Sequence, residues 1–383
     1  MSRDVQDALQ MSAPDISDDD IAVVVDVLRS GRLSIGPYVE RFESMVARYV
    51  GARHGIAVAN GTAGLHLCMR LANIEPDSEV ITSPFSFVAS SNCIIYERGR
   101  PVFVDIDEET LNIDPRQVEA AISPRTRALL PVHVFGRSAA MGPLAEVAAR
   151  HALTVVEDAC EALGAEYRGR RVGALGRAGV FAFYPNKQIT TGEGAVIVTD
   201  DPEWARLLRS MRNHGRGEMG GWLSHDRLGF NYRLDEMSAA LGVSQMSRVE
   251  TLLGLRDAVA ARYHDGLGRA RGVRTLAPGG DTTRMSWFVY VVRLDEDLPR
   301  DEIAEHLAAI GIPTRNYFPP IHLQPFYRQQ YGGRPGQFPV TERVSATTLA
   351  LPFHARLVEQ DIARVCAGLS AAIDAAVRRR SGI

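Results

Sequence analysis

The chain has 383 residues, a formal net charge of −3 and 45 % hydrophobic residues, a composition that suits a soluble globular protein with one large and one smaller domain. That charge gives no electrostatic case for nucleic acid or an anionic membrane as partner. Cys68, Cys93, Cys160 and Cys366 form no CxxC and no paired spacing, which points to reduced thiols in a cytoplasmic protein and away from a metal cage or a disulfide framework.

The start, MSRDVQDALQMSAPDISDDD, is acidic and lacks an apolar h-region, and no later run has the length to span a bilayer. DISDDDIAVVVDVLRSGRLSIGP then predicts a capped helix ending near Gly31 and a loop at Ser34 to Gly36. VERFESMVARYVG is amphipathic at helical spacing, and GIAVA, Gly55 to Ala59, is a short apolar strand. The strand meets an Asn60-Gly61-Thr62 turn and a helix beginning near Ala63. Free N–H groups and the helix dipole at such a junction suit a phosphate; taken alone, the turn is as well read as a plain connection whose threonine caps the helix.

The alternation continues with EVITSP as strand, FSFVASSNCIIYE as helix, PVFVDID as strand, PRQVEAAI as helix, RALLPVHVF as strand, MGPLAEVAARH as helix and LTVVED as strand. Apolar strands separated by amphipathic helices predict an α/β fold with a mainly parallel sheet covered on both faces. Ligands of such sheets sit at the carboxyl ends of strands, where Asn60, Phe85 to Phe87, Asp105, His133 and Asp158 fall. Glu157 and Asp158 are two candidate functional carboxylates there. An ionised Asp158 would hold a heteroaromatic nitrogen protonated, although aspartate at this kind of junction is often a helix N-cap. Phe87 would stack on a flat ring or, like most phenylalanines, join a core.

Lys187 is the only lysine in the chain; the other 42 of the 43 basic residues are arginine. A desolvated lysine amine can lose its proton and attack a carbonyl, which guanidinium cannot do. The solitary lysine therefore suggests imine chemistry, against the plain alternative of one surface charge left by an arginine bias. GVFAFYP and AVIVTD read as strands, and NKQITTGEG places Lys187 on the loop between them.

In order and spacing, NGTAGLHL, FSFVASSN, VEDACEALGA, FAFYPNKQITTGEGA, RNHG and LGFNYRLDEMSAALG resemble the DegT/DnrJ/EryC1/StrS family of sugar aminotransferases. The resemblance runs from about Leu33 to the C-terminal region. It implies the pyridoxal 5′-phosphate (PLP) fold type I: a large domain, residues 1–250, with a mainly parallel mixed sheet flanked by helices, and a smaller C-terminal α+β domain, residues 251–383. Lys187 would form the internal aldimine and later shuttle the proton. Asp158 would pair with the pyridine nitrogen, Phe87 would stack on the ring, and Gly61, Thr62 and Ala63 would hold the phosphate. Asn231 would reach the phosphate of a second subunit, implying a homodimer with shared active sites. Ala182 stands where many members have a phosphate-binding serine. Glu161 stands near the cofactor hydroxyl, where many have histidine or glutamine.

Lysine at 187, in place of the histidine of the family's dehydratase branch, favours amino transfer. L-glutamate or glutamine would give its nitrogen to PLP, and the pyridoxamine form would pass it to a nucleotide-linked ketosugar, foremost a 4-keto-6-deoxyhexose. A cyclitol ketone, a 3-ketosugar and a non-catalytic PLP-binding protein are the alternatives. Arg315, Tyr317 and His322, in TRNYFPPIHLQPFY, resemble the family's segment near the sugar and its nucleotide, and equally suit a proline-stapled surface loop. Loops Leu33 to Tyr38 and Gly217 to Leu228 are expected to choose the sugar.

Overall fold

A computed structural model describes residues 9–217 and 224–381. The expected first helix spans Asp18–Ser30. Ser17 and Asp20 exchange the two hydrogen bonds of a capping box, and Gly31 closes the helix at φ 69°, a left-handed conformation that glycine adopts without a Cβ penalty. The second helix, Pro37–Val50, has no cap of its own. The Glu236 carboxylate, distant in sequence, accepts from the N–H groups of Tyr38 and Val39, so tertiary structure supplies what the local sequence lacks.

Among the described residues nine strands lie between His54 and Thr199: β1 His54–Val58, β2 Glu79–Thr82, β3 Arg100–Phe103, β4 Thr126–Leu130, β5 Thr154–Asp158, β6 Glu166–Tyr167, β7 Arg170–Arg171, β8 Ala178–Ala182 and β9 Ala195–Thr199. Seven of them form one sheet in the order β1-β9-β8-β5-β4-β2-β3. β9 is antiparallel to both neighbours and the other pairings are parallel, as the apolar strand runs predict. Helices cover both faces: Phe42, Val46 and Leu144 pack in a cluster with Ile81, Val196 and Val198, whereas Leu65, Met69 and Leu208 pack with Val80, Val180 and Ile197. Alternate residues of one strand thus serve two separate cores.

Later come β10 Val273–Thr275, β11 Thr282–Arg284, β12 Tyr290–Leu294 and β13 Thr348–Leu351. β10, β12 and β13 make a separate antiparallel sheet. Helices Val249–Leu267, Arg300–Ala309 and Glu359–Ser381 accompany it. The chain does not keep its two halves strictly apart, because β11 pairs with β6 and the Phe353 N–H donates to the Met11 carbonyl.

Three local expectations change. The helix expected from Phe85 begins at Ala89, because Pro84 precedes Phe85 and Ser83 Oγ accepts the Phe85 N–H in a turn. The apolar run MSWFVYVVRL, Met285 to Leu294, reads as one strand, yet the strand begins at Tyr290; Ser286 is instead fastened by its hydroxyl to the Leu163 carbonyl and by its N–H to the Gly136 carbonyl. Asp105 faces no ligand position, since it caps helix Pro339–Thr347 by accepting from the Val340 and Thr341 N–H groups.

Candidate active site

At the end of β1 the chain enters helix Gly61–Leu71 with Asn60, not Thr62, as the N-cap. Asn60 Oδ1 accepts the Ala63 N–H at 2.9 Å. Ala63 therefore already has a partner, and the first-turn N–H groups of Gly61 and Thr62 have no preceding helical carbonyl to receive them. A Cβ on Gly61 would stand 3.0 Å from both Ala182 Cβ and Cys160 Sγ. Glycine lets the helix start approach the ends of β5 and β8 closely, and Ala182 belongs to that close packing.

Asp158 ends β5 and is 5 % exposed. Its Oδ2 accepts from Ser90 Oγ at 2.7 Å and its Oδ1 from the Cys160 N–H at 3.2 Å. No helix begins there, so the N-cap reading falls. Glu157, one residue earlier, points to the other face. Its carboxylate accepts from the N–H groups of Gly173, Leu175 and Gly176 and bonds His133 Nε2 at 2.9 Å. Because His133 Nδ1 accepts the Ala139 N–H, Nε2 carries the proton that Glu157 receives. Glu157 and His133 are structural, and only Asp158 remains of the two candidate carboxylates.

Lys187 sits on the loop between β8 and β9, its side chain 13 % exposed. Nζ lies 3.7 Å from Glu161 Oε1 and 3.9 Å from the centroid of the Phe288 ring, a cation–π distance. Its carbonyl accepts from buried Arg256 at 2.7 Å. Next in sequence, the Gln188 amide donates to the Glu161 carbonyl at 2.6 Å and to Ser286 Oγ at 2.9 Å. Glu161 is buried, and its Oε2 accepts the Phe135 N–H at 3.0 Å. Burial raises the Glu161 carboxyl above the usual range against the opposing pull of Lys187.

Tyr317 joins this cluster: its ring stacks on Phe288, 6.4 Å between centroids, and burial foremost, then the Glu161 charge, raises its hydroxyl above the usual value. Arg315 is exposed, its NH1 donating to the Thr314 carbonyl. His322 is 2 % exposed and pairs with Glu342, Nε2 to Oε1 3.1 Å, edge-on to Phe338. Phe87 is 62 % exposed while Phe85 is buried against Phe135 and Phe318, so the open aromatic is Phe87 and the core aromatic Phe85. Asn231 is exposed and bridges to Asn213. Of the loops expected to choose the sugar, the part 218–223 lies outside the described residues. Sequence reasoning missed Ser90, Phe135, Gln188, Arg256, Ser286 and Phe288. Adjacency to Lys187 was the available signal for Gln188; the others arrive from distant segments.

A model of the DegT/DnrJ/EryC1/StrS aminotransferase family matches residues 14–370. The chain belongs to that family. This aminotransferase is 40 % identical to the GDP-perosamine synthase of Caulobacter vibrioides, with 88 % of this chain and 90 % of that protein covered. It is 39 % identical to the dTDP-3-amino-3,4,6-trideoxy-alpha-D-glucose transaminase of Streptomyces venezuelae, with 90 % and 89 % covered. Among solved structures, S. venezuelae DesV superposes with a TM-score of 0.87 at 39 % identity, covering 92 % of this chain and 93 % of that one. Helicobacter pylori PseC, an aminotransferase of pseudoaminic acid biosynthesis, superposes at 0.92 with 27 % identity, covering 96 % and 100 %.

The aminotransferase is a PLP enzyme, and its residues fit that cofactor. A helix N-terminus at Gly61 that a Cβ would crowd, the buried Asp158 carboxylate at a strand end and the Lys187 amine suit its phosphate, ring nitrogen and aldehyde. Among the described residues no helix is long and apolar enough to cross a membrane, and no group of metal-ligating side chains is gathered.

Proposed function

We propose that the chain transfers an amino group from L-glutamate or glutamine to a nucleotide-linked ketosugar, with a 4-keto-6-deoxyhexose as the leading substrate. The observation that carries this reading is the Lys187–Asp158 site in a chain 39 % and 40 % identical to enzymes whose names specify dTDP- and GDP-linked sugars. One of those names places the amino group at position 3, so a 3-ketosugar is the second reading and a cyclitol ketone the third. A PLP-binding protein without turnover is disfavoured by the presence of both Lys187 and Asp158.

PLP supplies an electron sink that stabilises negative charge on the carbon losing its proton. In this proposal Gly61 and Thr62 bind the phosphate through first-turn N–H groups, and Ala63 shapes the same turn while its own N–H stays on Asn60. Asp158 holds a proton on the ring nitrogen, Phe87 closes one ring face, and Glu161 lies toward the ring hydroxyl. Lys187 Nζ takes the proton from one carbon and returns it to the other. Asn231, exposed in one copy, meets the phosphate of a second, making a homodimer with shared sites. Tyr317, beside Glu161, faces the sugar; exposed Arg315 is placed toward the nucleotide, and His322 supports the same segment through Glu342. The free cysteines agree with a cytoplasmic location.

Turnover with nucleotide-linked 4-keto and 3-keto deoxyhexoses and with inososes, glutamate and glutamine as donors, tests the proposal by mass spectrometry of the amino product. An amino sugar nucleotide formed from the 4-keto substrate is the expected result. Product from inososes alone would overturn it.

A further inference from the structure

Glu161 is held more firmly than a peripheral cofactor contact requires. Its Oε2 is tied to the Phe135 N–H, and Phe135 adopts φ 57°, a left-handed conformation costly for a residue with a Cβ. Gly136 follows at φ 80°, where a Cβ would stand 1.6 Å from the Ser286 carbonyl oxygen. The Glu161 carbonyl receives the Gln188 amide, which also bonds Ser286. One framework of Phe135, Gly136, Ser286 and Gln188 thus fixes both the Glu161 carboxyl and the residue next to Lys187. With Oε2 occupied, Oε1 is left toward Nζ at 3.7 Å, within ion-pair distance.

From this geometry we infer that Glu161 and Lys187 work as a one-proton pair, in which Glu161 Oε1 takes up the proton of the Lys187 ammonium, leaving Nζ neutral, and gives it back. In one arrangement the pair is carboxylate and ammonium, in the other carboxylic acid and neutral amine. The proton passes between Oε1 and Nζ, no other bond forms or breaks, and the net charge of the pair is zero in both. Burial makes the separated charges costly and brings the two arrangements closer in energy; the raised Glu161 carboxyl agrees with this. The charged and titratable groups facing the pair are Asp158, Cys160 and Tyr317, with Arg256 on the Lys187 carbonyl. A neutral amine is the form that accepts a proton from carbon, so Glu161 keeps Lys187 ready as a base without exporting a proton to solvent. Glu161 is then a positioning residue acting through Lys187.

The inference rests on Lys187 as the cofactor lysine but on no particular sugar. Because the chain has one lysine, ¹³C-lysine labelling yields a single side-chain signal in the full-length protein. Loaded with pyridoxamine phosphate, which leaves Lys187 free, the wild type is expected to show two titration steps in that signal, belonging to the pair as a whole. E161Q is expected to lose the lower step and to titrate in one step with its midpoint at least about one pH unit lower, a tenfold change in proton affinity. A single-step wild-type curve that coincides with that of E161Q would overturn the inference. If E161Q does not fold, E161D replaces it: a moved lower step supports the pair, and an unmoved one refutes it. None of these measurements uses a sugar, so their failure is distinguishable from failure of the substrate assignment.

Discussion

Ser90 Oγ, from helix Ala89–Tyr96, donates a 2.7 Å hydrogen bond to Asp158 Oδ2 at the end of β5. Ser86 Oγ lies 2.8 Å from Ser90 Oγ. With the Ser90 proton committed to the carboxylate, Ser86 becomes the donor in that second contact. The relay fixes the orientation of the Asp158 carboxylate from the side of helix Ala89–Tyr96.

Ser90→Ala should therefore lower kcat by at least about tenfold, the loss of roughly 1.5 to 3 kcal/mol expected for a hydrogen bond to a charged group. The fold should survive, since one small hydroxyl is removed. Steady-state kinetics with any accepted substrate decide it, and an unchanged kcat would remove Ser90 from the machinery.

Lys187→Ala and Lys187→Arg should both fold and both fail to turn over. Arginine keeps the positive charge near Phe288 and Glu161, yet its guanidinium stays protonated. The comparison separates charge from amine chemistry, and wild-type rates in either variant would refute the role given to Lys187.

Gly136→Ala should destabilise the protein by at least about 2 kcal/mol, because a left-handed φ of 80° is combined with a Cβ 1.6 Å from the Ser286 carbonyl oxygen. Gly169→Ala is the control. Gly169 has φ 76° but nothing within 4 Å of its Cβ, so only the conformational cost of about 1 kcal/mol applies. Chemical denaturation gives both values, and equal losses would contradict the clash.

Glu250 links three segments, receiving hydrogen bonds from Tyr49 at 2.5 Å, Arg171 at 3.1 Å and Arg284 at 2.8 Å. The Arg284 guanidinium foremost holds its carboxyl down to about 2 from 4.5. A depressed carboxyl contributes stability that is present above the unfolded value and is lost as pH falls toward the folded one. Wild type should lose this contribution between about pH 4.5 and 2, and Glu250→Gln should show a flatter pH dependence there. Its side chain is 52 % exposed, and solvent screening keeps the difference at or below about 1 kcal/mol. Stability measured against pH in both proteins checks the sign.

Much of the architecture was legible because its signals are local. The stretch DISDDD before an apolar run marked a capped first helix ending near Gly31, and the apolar runs from β2 to β5 marked a covered parallel sheet. The loop position of Lys187 and the strand-end position of Asp158 were legible from the flanking apolar runs. Boundaries failed where a distant contact or a turn overrode the pattern, as at Phe85 and Met285. The helix Pro37–Val50 shows the same limit, since its N-terminal cap comes from Glu236.

By itself the sequence determined the solitary lysine, the alternation of strands and helices and the family to which the chain belongs. All three are written in residue identity and short-range order. Only the tertiary structure decided between Glu157 and Asp158, neighbours on one strand whose side chains leave opposite faces of the sheet. It also turned His322 to Glu342, brought Phe288 and Tyr317 to Lys187, and set Glu161 Oε1 toward Nζ. Those outcomes depend on contacts between segments far apart in the chain, whose geometry exists only after the sheet and its loops have packed together.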